Sequence, residues 1–309
     1  MKLLVLGGSE FVSKALAKYL IAKGYSVDIL TRGIKSLGYD GYKKHIICDR
    51  KDINNMKSQL NDEVYDYVFD ISAYTEEDTK IALEAINKEK LKKYIFCSSG
   101  AVYKPSNDIV NEYFTKGENP FWGQYGLDKK AAEDYIINSG INYCILRPTY
   151  IYGEGNNLYR ESYFFDRILN KKFIQVPSGD EVRTQFLHID DLVRIFESAM
   201  YSNESNEIYN VTNDEIVTWK EYINICGEVI GEQPIIKEVH SSKSIHEVRT
   251  YFPFRNTTYT LSIDKLKSSS LHVPKIGLKE GLEKTFKWYK ENDIKLEDKK
   301  MINVDNLLE

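Results

Sequence analysis

The chain reads as an α/β protein, a doubly wound parallel sheet followed by a smaller α+β domain towards the C-terminus. Three observations predict this. The chain opens on an apolar run, a glycine turn and a helical pattern. Strand and helix patterns then alternate to about residue 150. Beyond Arg147-Pro148 the alternation loosens into helical segments separated by short strands. Strands alternating with helices at this spacing imply right-handed βαβ units, and hence a parallel sheet.

Leu3 to Leu6 is continuously apolar, as a strand buried on both faces requires. Gly7-Gly8 permits a sharp turn and leaves room for a ligand close to the main chain. Phe11, Ala15, Leu16, Tyr19 and Leu20 then follow at helical spacing. A strand, a glycine turn and a helix N-terminus together offer unpaired N–H groups and the positive end of a dipole to an anion. Gly7, Gly8, Ser9, Glu10, Phe11 and Val12 are therefore candidate phosphate-binding residues. The stretch fits a plain βα turn as well.

Further strands are predicted at 26–30, 45–48, 65–70, 93–97 and 142–146. The acidic run Glu76-Glu77-Asp78 opens the helix after the fourth strand, where the dipole favours negative charge. A helix is predicted over 125–138. Ligands of such sheets bind at the carboxyl ends of the strands, where Arg32, Asp49, Ser72, Ser99 and Pro148 fall. Later helices are expected at 159–170, 191–201, 218–230 and 278–290, with strands at 173–176, 185–188 and 208–211. The first domain thus spans 1–150 and is completed by a segment around 184–212. The second takes 151–183 and 213–292, and a charged tail over 293–309 is expected to lie at the periphery.

At 309 residues the chain can bury a large core. Its 42 basic and 46 acidic residues give a net charge of −4, which argues against nucleic acid as a partner. No apolar run reaches membrane-spanning length, and the N-terminus enters a strand at once without a signal peptide, so a cytoplasmic protein is expected. Cys48, Cys97, Cys144 and Cys226 are widely spaced and read as reduced core residues. With no His/Cys cluster, no metal site is expected.

Tyr125 and Lys129 lie four residues apart, which on a helix is one face. A phenol ordinarily titrates near pH ~10, and a neighbouring cation lowers that value. Such a pair can exchange a proton with a substrate hydroxyl. Among 23 tyrosines it also fits a chance pairing on a solvated helix.

Taken in order, the motifs resemble the extended short-chain dehydrogenases/reductases, the nucleotide-sugar epimerases and dehydratases. Ser98-Ser99-Gly100-Ala101-Val102-Tyr103 is similar to that family's strand ending in Ser-Ser-x-x-Val-Tyr. Tyr125 with Lys129 matches its Tyr-x-x-x-Lys, and Leu146-Arg147-Pro148-Thr149-Tyr150-Ile151-Tyr152-Gly153 its Leu-Arg-Pro-x-x-x-Tyr-Gly. Phe186 to Leu192 and Ile208 to Val211 resemble its later junctions. The resemblance covers about residues 1–290. It implies an NAD(P)-binding Rossmann domain, with Tyr125 as acid/base, Lys129 as its electrostatic partner and a ribose contact, and Ser99 orienting the substrate oxygen. It places Pro148 and Thr149 by the nicotinamide, Asp49 by the adenine, and Ser98 and Ser72-Ala73-Tyr74 along the cofactor. It implies a nucleotide-activated sugar as substrate and leaves room for a homodimer.

Two departures stand out. The family's Gly-x-x-Gly-x-x-Gly becomes Gly7, Glu10 and Ser13. An acidic side chain at the second position repels a pyrophosphate by about 4 kcal/mol at 4 Å and an effective dielectric near 20, so Glu10 must point away or find a cation. The turn and Arg32-Gly33 are similar to an atypical branch resembling chloroplast stem-loop-binding proteins. Arginine at the end of the second strand suits a 2′-phosphate, so Arg32 favours NADP over NAD, unless it is simply a solvated loop residue. The substrate half has Thr184 where the family carries arginine. That leaves Arg183, Arg249 and Arg255 as candidates to hold a diphosphate, with Tyr150 beside the substrate. The aromatic run Tyr251-Phe252-Pro253-Phe254 is able to stack a base or to fill a core patch. His188 reads as a packed strand residue and Asp190 as the N-cap of the helix from 191.

The expected function is an NAD(P)-dependent epimerase or dehydratase with transient hydride transfer. The alternatives are a reductase of another carbonyl, or a dinucleotide-sensing or RNA-binding scaffold that has lost the chemistry.

Overall fold

The computed structural model describes residues 1–178, 181–240 and 248–306. In chain order, β1 (Lys2–Leu6), α1 (Phe11–Ala22), β2 (Ser26–Thr31) and β3 (Lys44–Ile47) come first. They are followed by α2 (Ile53–Leu60), β4 (Tyr67–Asp70), α3 (Glu76–Ala85), β5 (Lys93–Cys97), α4 (Gln124–Asn138) and β6 (Tyr143–Pro148). The later half holds β7 (Tyr150–Tyr152), α5 (Glu161–Leu169), β8 (Phe173–Ser178), β9 (Arg183–Thr184), β10 (Phe186–His188), α6 (Ile189–Tyr201) and β11 (Glu207–Val211). It ends with β12 (Val217–Thr218), α7 (Trp219–Ile230), β13 (Ile235–His240), α8 (Asp264–Lys267) and α9 (Leu278–Glu291).

Seven parallel strands form one sheet in the order β11-β6-β5-β4-β1-β2-β3. Strand order reverses between β1 and β4, which places the ligand crevice of a doubly wound sheet at their carboxyl ends. Leu6 pairs with both Leu30 and Asp70, so three strands end level with one another around the glycine turn. The edge strand β11 returns from late in the chain and pairs with β6 along its whole length.

Strand side chains alternate between the two faces. Leu3 and Val5 pack with Leu16 and Leu20 of α1 and with Leu192 and Phe196 of α6. Leu4 and Leu6 pack on the opposite face with Met56, Ile81 and Ile136. A third core, rich in aromatic rings, is centred on Tyr163, Phe164, Trp219, Tyr222, Phe252 and Phe254. It absorbs Tyr251-Phe252-Pro253-Phe254, whose rings are buried there and are not available to stack a base.

The charged tail is mostly exposed but anchored at three points. Asp305 pairs with Arg167 and Asp298 with Arg249, each at 2.9 Å, and Met301 is buried. These contacts anchor a segment that otherwise stays largely exposed, the Asp305 side chain itself being 64% exposed. Helix α6 begins two residues early, and His188 caps it: its Nδ1 accepts the Asp190 N–H at 3.2 Å. The Asp190 carboxylate pairs instead with Lys284. Helix α2 was not anticipated; Asp52 caps it by accepting the Asn55 N–H at 3.1 Å. All four cysteines are buried and unpaired.

Candidate functional site

The glycine turn holds Gly7 at φ 113° and Gly8 at φ 137°, a region that disfavours side chains. A Cβ on Gly7 would stand 2.9 Å from the Ser13 Cβ, and one on Gly8 2.5 Å from Ile29. Ser13 therefore fits at the third motif position because Gly7 has no side chain. No side chain caps α1, so its first-turn N–H groups keep the unpaired character that suits an anion. Glu10 has found a cation. Its carboxylate pairs with Lys35 and accepts from Asn157 Nδ2 at 3.2 Å. Lys35 above all holds it below the usual carboxylate range. Arg32 is exposed, and its charge reaches Glu10. Asp49 is exposed too, and accepts the Lys51 N–H at 3.0 Å within its own turn.

At the end of β5 the two serines part. Ser98 Oγ donates to Glu133 at 2.6 Å, inside a buried pair between Glu133 and Arg147. Ser99 opens a short 3₁₀ turn, accepting the Ala101 N–H at 3.1 Å. Its hydroxyl acts to lower the pKa of both the Tyr125 and the Tyr259 phenol. Burial pushes the Tyr125 phenol up, while Ser99, Arg160 and Arg255 pull it down. The net direction is upward, opposite to the lowering expected from Lys129, because desolvation outweighs the cations.

Lys129 lies one turn along α4 and is only 3% exposed. Its ammonium donates to Ala73 O and Cys97 O, both at 2.7 Å, and sits over the rings of Tyr74 and Phe96. Burial lowers its pKa. Of the three N–H donors of an ammonium, two are thus engaged.

Ser72 accepts from Arg50 at 2.7 Å. Arg50 makes a bidentate pair with Asp70, at 2.8 and 2.9 Å, and Tyr94 donates to the same carboxylate. Sequence reasoning passed over this network. Its one signal was an acidic residue closing the otherwise apolar β4.

Pro148 O accepts the Tyr259 hydroxyl at 3.1 Å, and Thr149 Oγ1 bonds Thr212 Oγ1 at 2.6 Å. Tyr150 is buried among Phe254, Tyr259 and Trp122. Arg160 lies over Tyr150 and Phe254, at 5.1 and 5.5 Å from the ring centres, and Arg255 over Trp122 at 4.2 Å. Arg255 donates to Phe121 O. Arg249 is committed to Asp298 and Phe252 O. Burial lowers the pKa of both Arg249 and Arg255, and the repulsion of Arg160 adds to it. Arg183 is exposed on β9 with its guanidinium at Asn107 O, and does not join this group. Arg160 and Tyr259 were both missed; each sits on irregular chain, where no spacing marks it.

Glu154, His188 and Asp190 bring ligand-type atoms within 4.8 Å of one another. The Asp190 N–H occupies His188 Nδ1 and Lys284 pairs with Asp190, while Glu154 Oε2 and His188 Nε2 lie 3.2 Å apart without a hydrogen-bond partner among the described residues.

A parallel sheet in this strand order, with a glycine turn after its first strand, is the architecture of the Rossmann-type α/β proteins. Residues 3–212 match the NAD dependent epimerase/dehydratase family, and the chain belongs to that family of enzymes. It is 29% identical over 300 residues to the chloroplast stem-loop binding protein of 41 kDa b of Arabidopsis thaliana, covering 92% of this chain and 78% of the relative. It is 28% identical over 326 residues to a protein provisionally named UDP-glucose 4-epimerase from Methanocaldococcus jannaschii, covering 94% and 99%. The structure of a Bacillus cereus UDP-glucuronic acid 4-epimerase, in complex with UDP-glucuronic acid and NAD, shares the fold. The TM-score is 0.77 at 20% identity, over 94% of this chain and all of that one. Among the described residues no helix is long and apolar enough to cross a membrane.

Proposed function

We propose that the chain is an NAD(P)-dependent enzyme of epimerase or dehydratase type acting on a nucleotide-activated sugar. The observation that carries this is buried Lys129, one helical turn from Tyr125; its ammonium binds Ala73 O and Cys97 O at the carboxyl ends of β4 and β5, with Ser99 two residues beyond Cys97.

The residues at the glycine turn fit a dinucleotide. Gly7 and Gly8 hold a tight turn that a side chain would break against Ser13 and Ile29, α1 is uncapped, and Lys35 neutralises Glu10. When bound, the nicotinamide supplies reversible hydride transfer at the sugar carbon. Tyr125 takes the proton from the sugar hydroxyl and returns it. Ser99 orients the same oxygen. The buried charge of Lys129 favours the phenolate, and its third N–H is available to a ribose hydroxyl. Arg32, an exposed cation at the end of β2, supports NADP over NAD. Arg160 and Arg255 have no carboxylate partner among the described residues and suit the phosphates of the substrate.

The test is Tyr125→Phe, assayed with UDP-glucose as probe, beside titrations with NAD and NADP. Turnover should fall by about 10²- to 10⁴-fold with dinucleotide affinity within about twofold. Unchanged turnover would remove Tyr125 from the chemistry. The likeness to the stem-loop binding protein favours a second reading, an RNA-binding scaffold. Salt-dependent RNA binding, with no melting shift from either dinucleotide, would select it.

A further inference from the structure

We propose that Glu133 is a positioning residue for the site: through Ser98 and Arg147 it fixes where α4 lies against the chain leaving β5, and so where Tyr125 and Lys129 stand relative to Ser99. The consequence for turnover rests on the reading of Tyr125 and Lys129 as the acid/base pair.

Tyr125, Lys129 and Glu133 follow one another at four-residue spacing along α4, on one stripe of the helix. Glu133 is fully buried. Its Oε1 accepts from Ser98 Oγ at 2.6 Å and from Arg147 Nε at 2.8 Å, and its Oε2 accepts from Arg147 Nη2 at 2.6 Å. One turn earlier, Lys129 donates to Cys97 O at 2.7 Å. Two successive turns of α4 therefore grip two successive residues at the end of β5, and Ser99 is the next residue in the chain. Arg147, buried on β6, extends the grip. Its Nη1 donates to the Tyr103 hydroxyl at 2.7 Å, and that hydroxyl donates to Asn210 Oδ1 of β11 at 2.7 Å. One carboxylate thus ties α4 to three neighbouring strands, β5, β6 and β11.

These bonds give α4 a register that its apolar contacts do not. Ala132 and Ile136 pack the helix on the sheet, and apolar burial has no direction. Hydrogen bonds from Ser98 and Arg147 have both a length and an angle to satisfy. Stability does not require the ion pair, because apolar side chains of similar volume often hold a fold equally well in its place. The site requires the register. Gly126, beside Tyr125, lies so near the turn after Ser99 that a Cβ on it would stand 2.4 Å from Ala101 O. A small slide of α4 would drive it into that turn or carry Tyr125 and Lys129 away from β5. Glu133 lies about two turns from Tyr125 and acts on it only through the helix.

The test replaces the polar cluster with apolar side chains, Ser98→Ala, Glu133→Leu and Arg147→Met in one full chain. Lys116, 3.7 Å from the Glu133 carboxylate and partly exposed, keeps its access to water. The urea midpoint should equal the parent's or exceed it. In chains labelled with 13Cε-lysine, the Lys129 resonance is assigned by its loss in Lys129→Met and titrated with pH. Burial holds that ammonium below its ordinary range in the parent. Its midpoint should rise by about one pH unit as α4 loses its register and water reaches the group. With UDP-glucose as probe, kcat should fall by about 10- to 100-fold with KM within about threefold, the loss expected of misplaced groups. Ser98→Ala alone leaves the ion pair intact. It should move both readouts the same way by less, and serves if the triple variant does not fold. A Lys129 midpoint that matches the parent's in a folded variant overturns the proposal. So does a kcat that falls only together with the urea midpoint, which would make the cluster merely structural. The lysine titration needs no substrate, so absent turnover in the parent counts against the proposed function and not against Glu133.

Discussion

The Lys35 ammonium pairs with the Glu10 carboxylate at the glycine turn, and Asn157 reaches the same oxygen from the later half of the chain. An acidic side chain stands at the motif position nearest a bound pyrophosphate, and the loop after β2 supplies its counter-charge. The fold therefore keeps the turn near neutral without restoring the missing glycine.

Removing the cation should expose the defect. Lys35→Ala should weaken dinucleotide binding by about fivefold at low salt, the upper end of what an exposed pair is worth. Glu10→Gln in the same chain should restore it. The difference should shrink as salt rises, because both groups are solvent-accessible and screened. Fluorescence titration with reduced dinucleotide reads all three. Equal affinities for Lys35→Ala and the parent would separate Glu10 from the cofactor altogether.

The Arg50–Asp70 pair connects the sheet to the site. Asp70 closes β4, accepts the Ala73 N–H at 3.1 Å, and so braces the loop whose Ala73 carbonyl receives Lys129. Burial alone would raise the Asp70 carboxyl, but Arg50 overrides it and holds the group below its ordinary range. Asp70→Ala strands the Arg50 guanidinium, itself 9% exposed, and should destabilise the fold by about 3–5 kcal/mol. The double change Arg50→Met with Asp70→Leu should recover most of that loss, because no buried charge is left alone. Urea unfolding of the three proteins decides it; an additive double mutant would show that the pair is not coupled.

These residues also show what the sequence could and could not say. The parallel sheet was legible because buried strands must be apolar and their connecting helices must repeat every three to four residues. Ser99, Tyr125 and Lys129 were singled out because each is tied to a regular element, the end of β5 or one face of α4, and the structure brings them to the same end of the sheet. Arg183 was proposed for its place in the chain, yet β9 leaves it exposed while Arg160 turns inward over Tyr150. Lys35, Arg160 and Tyr259 come from irregular segments, where side-chain direction follows from tertiary packing and no local period reports it. The two points where arginines anchor the tail were hidden for a related reason: hydropathy counts charges, but not whether an arginine is waiting for them.

Glu161 carries a pH dependence that can be isolated. It lies in the first turn of α5, 2% exposed. One carboxylate oxygen accepts from Asn156 Nδ2 at 2.6 Å, and the other has no hydrogen-bond partner among the described residues. Burial pushes the group from its ordinary 4.5 up to about 7, with Arg160 and Asn156 pulling against it. Below pH 4.5 the folded and unfolded chains both hold the proton. Between 4.5 and about 7 the folded chain keeps it and the unfolded chain has lost it, so the unfolded state binds fewer protons and stability falls as pH rises. Above that window the loss is complete and constant, at about 3 kcal/mol. Glu161→Gln keeps an acceptor for Asn156 and carries no charge. Measured by urea unfolding at matched pH, the glutamine chain should equal the parent near pH 4.5 and exceed it by about 3 kcal/mol at pH 8, with every other titrating group cancelling in the difference. A difference that stays flat across the window would mean that Glu161 is ionised throughout, with its second oxygen paired to a donor.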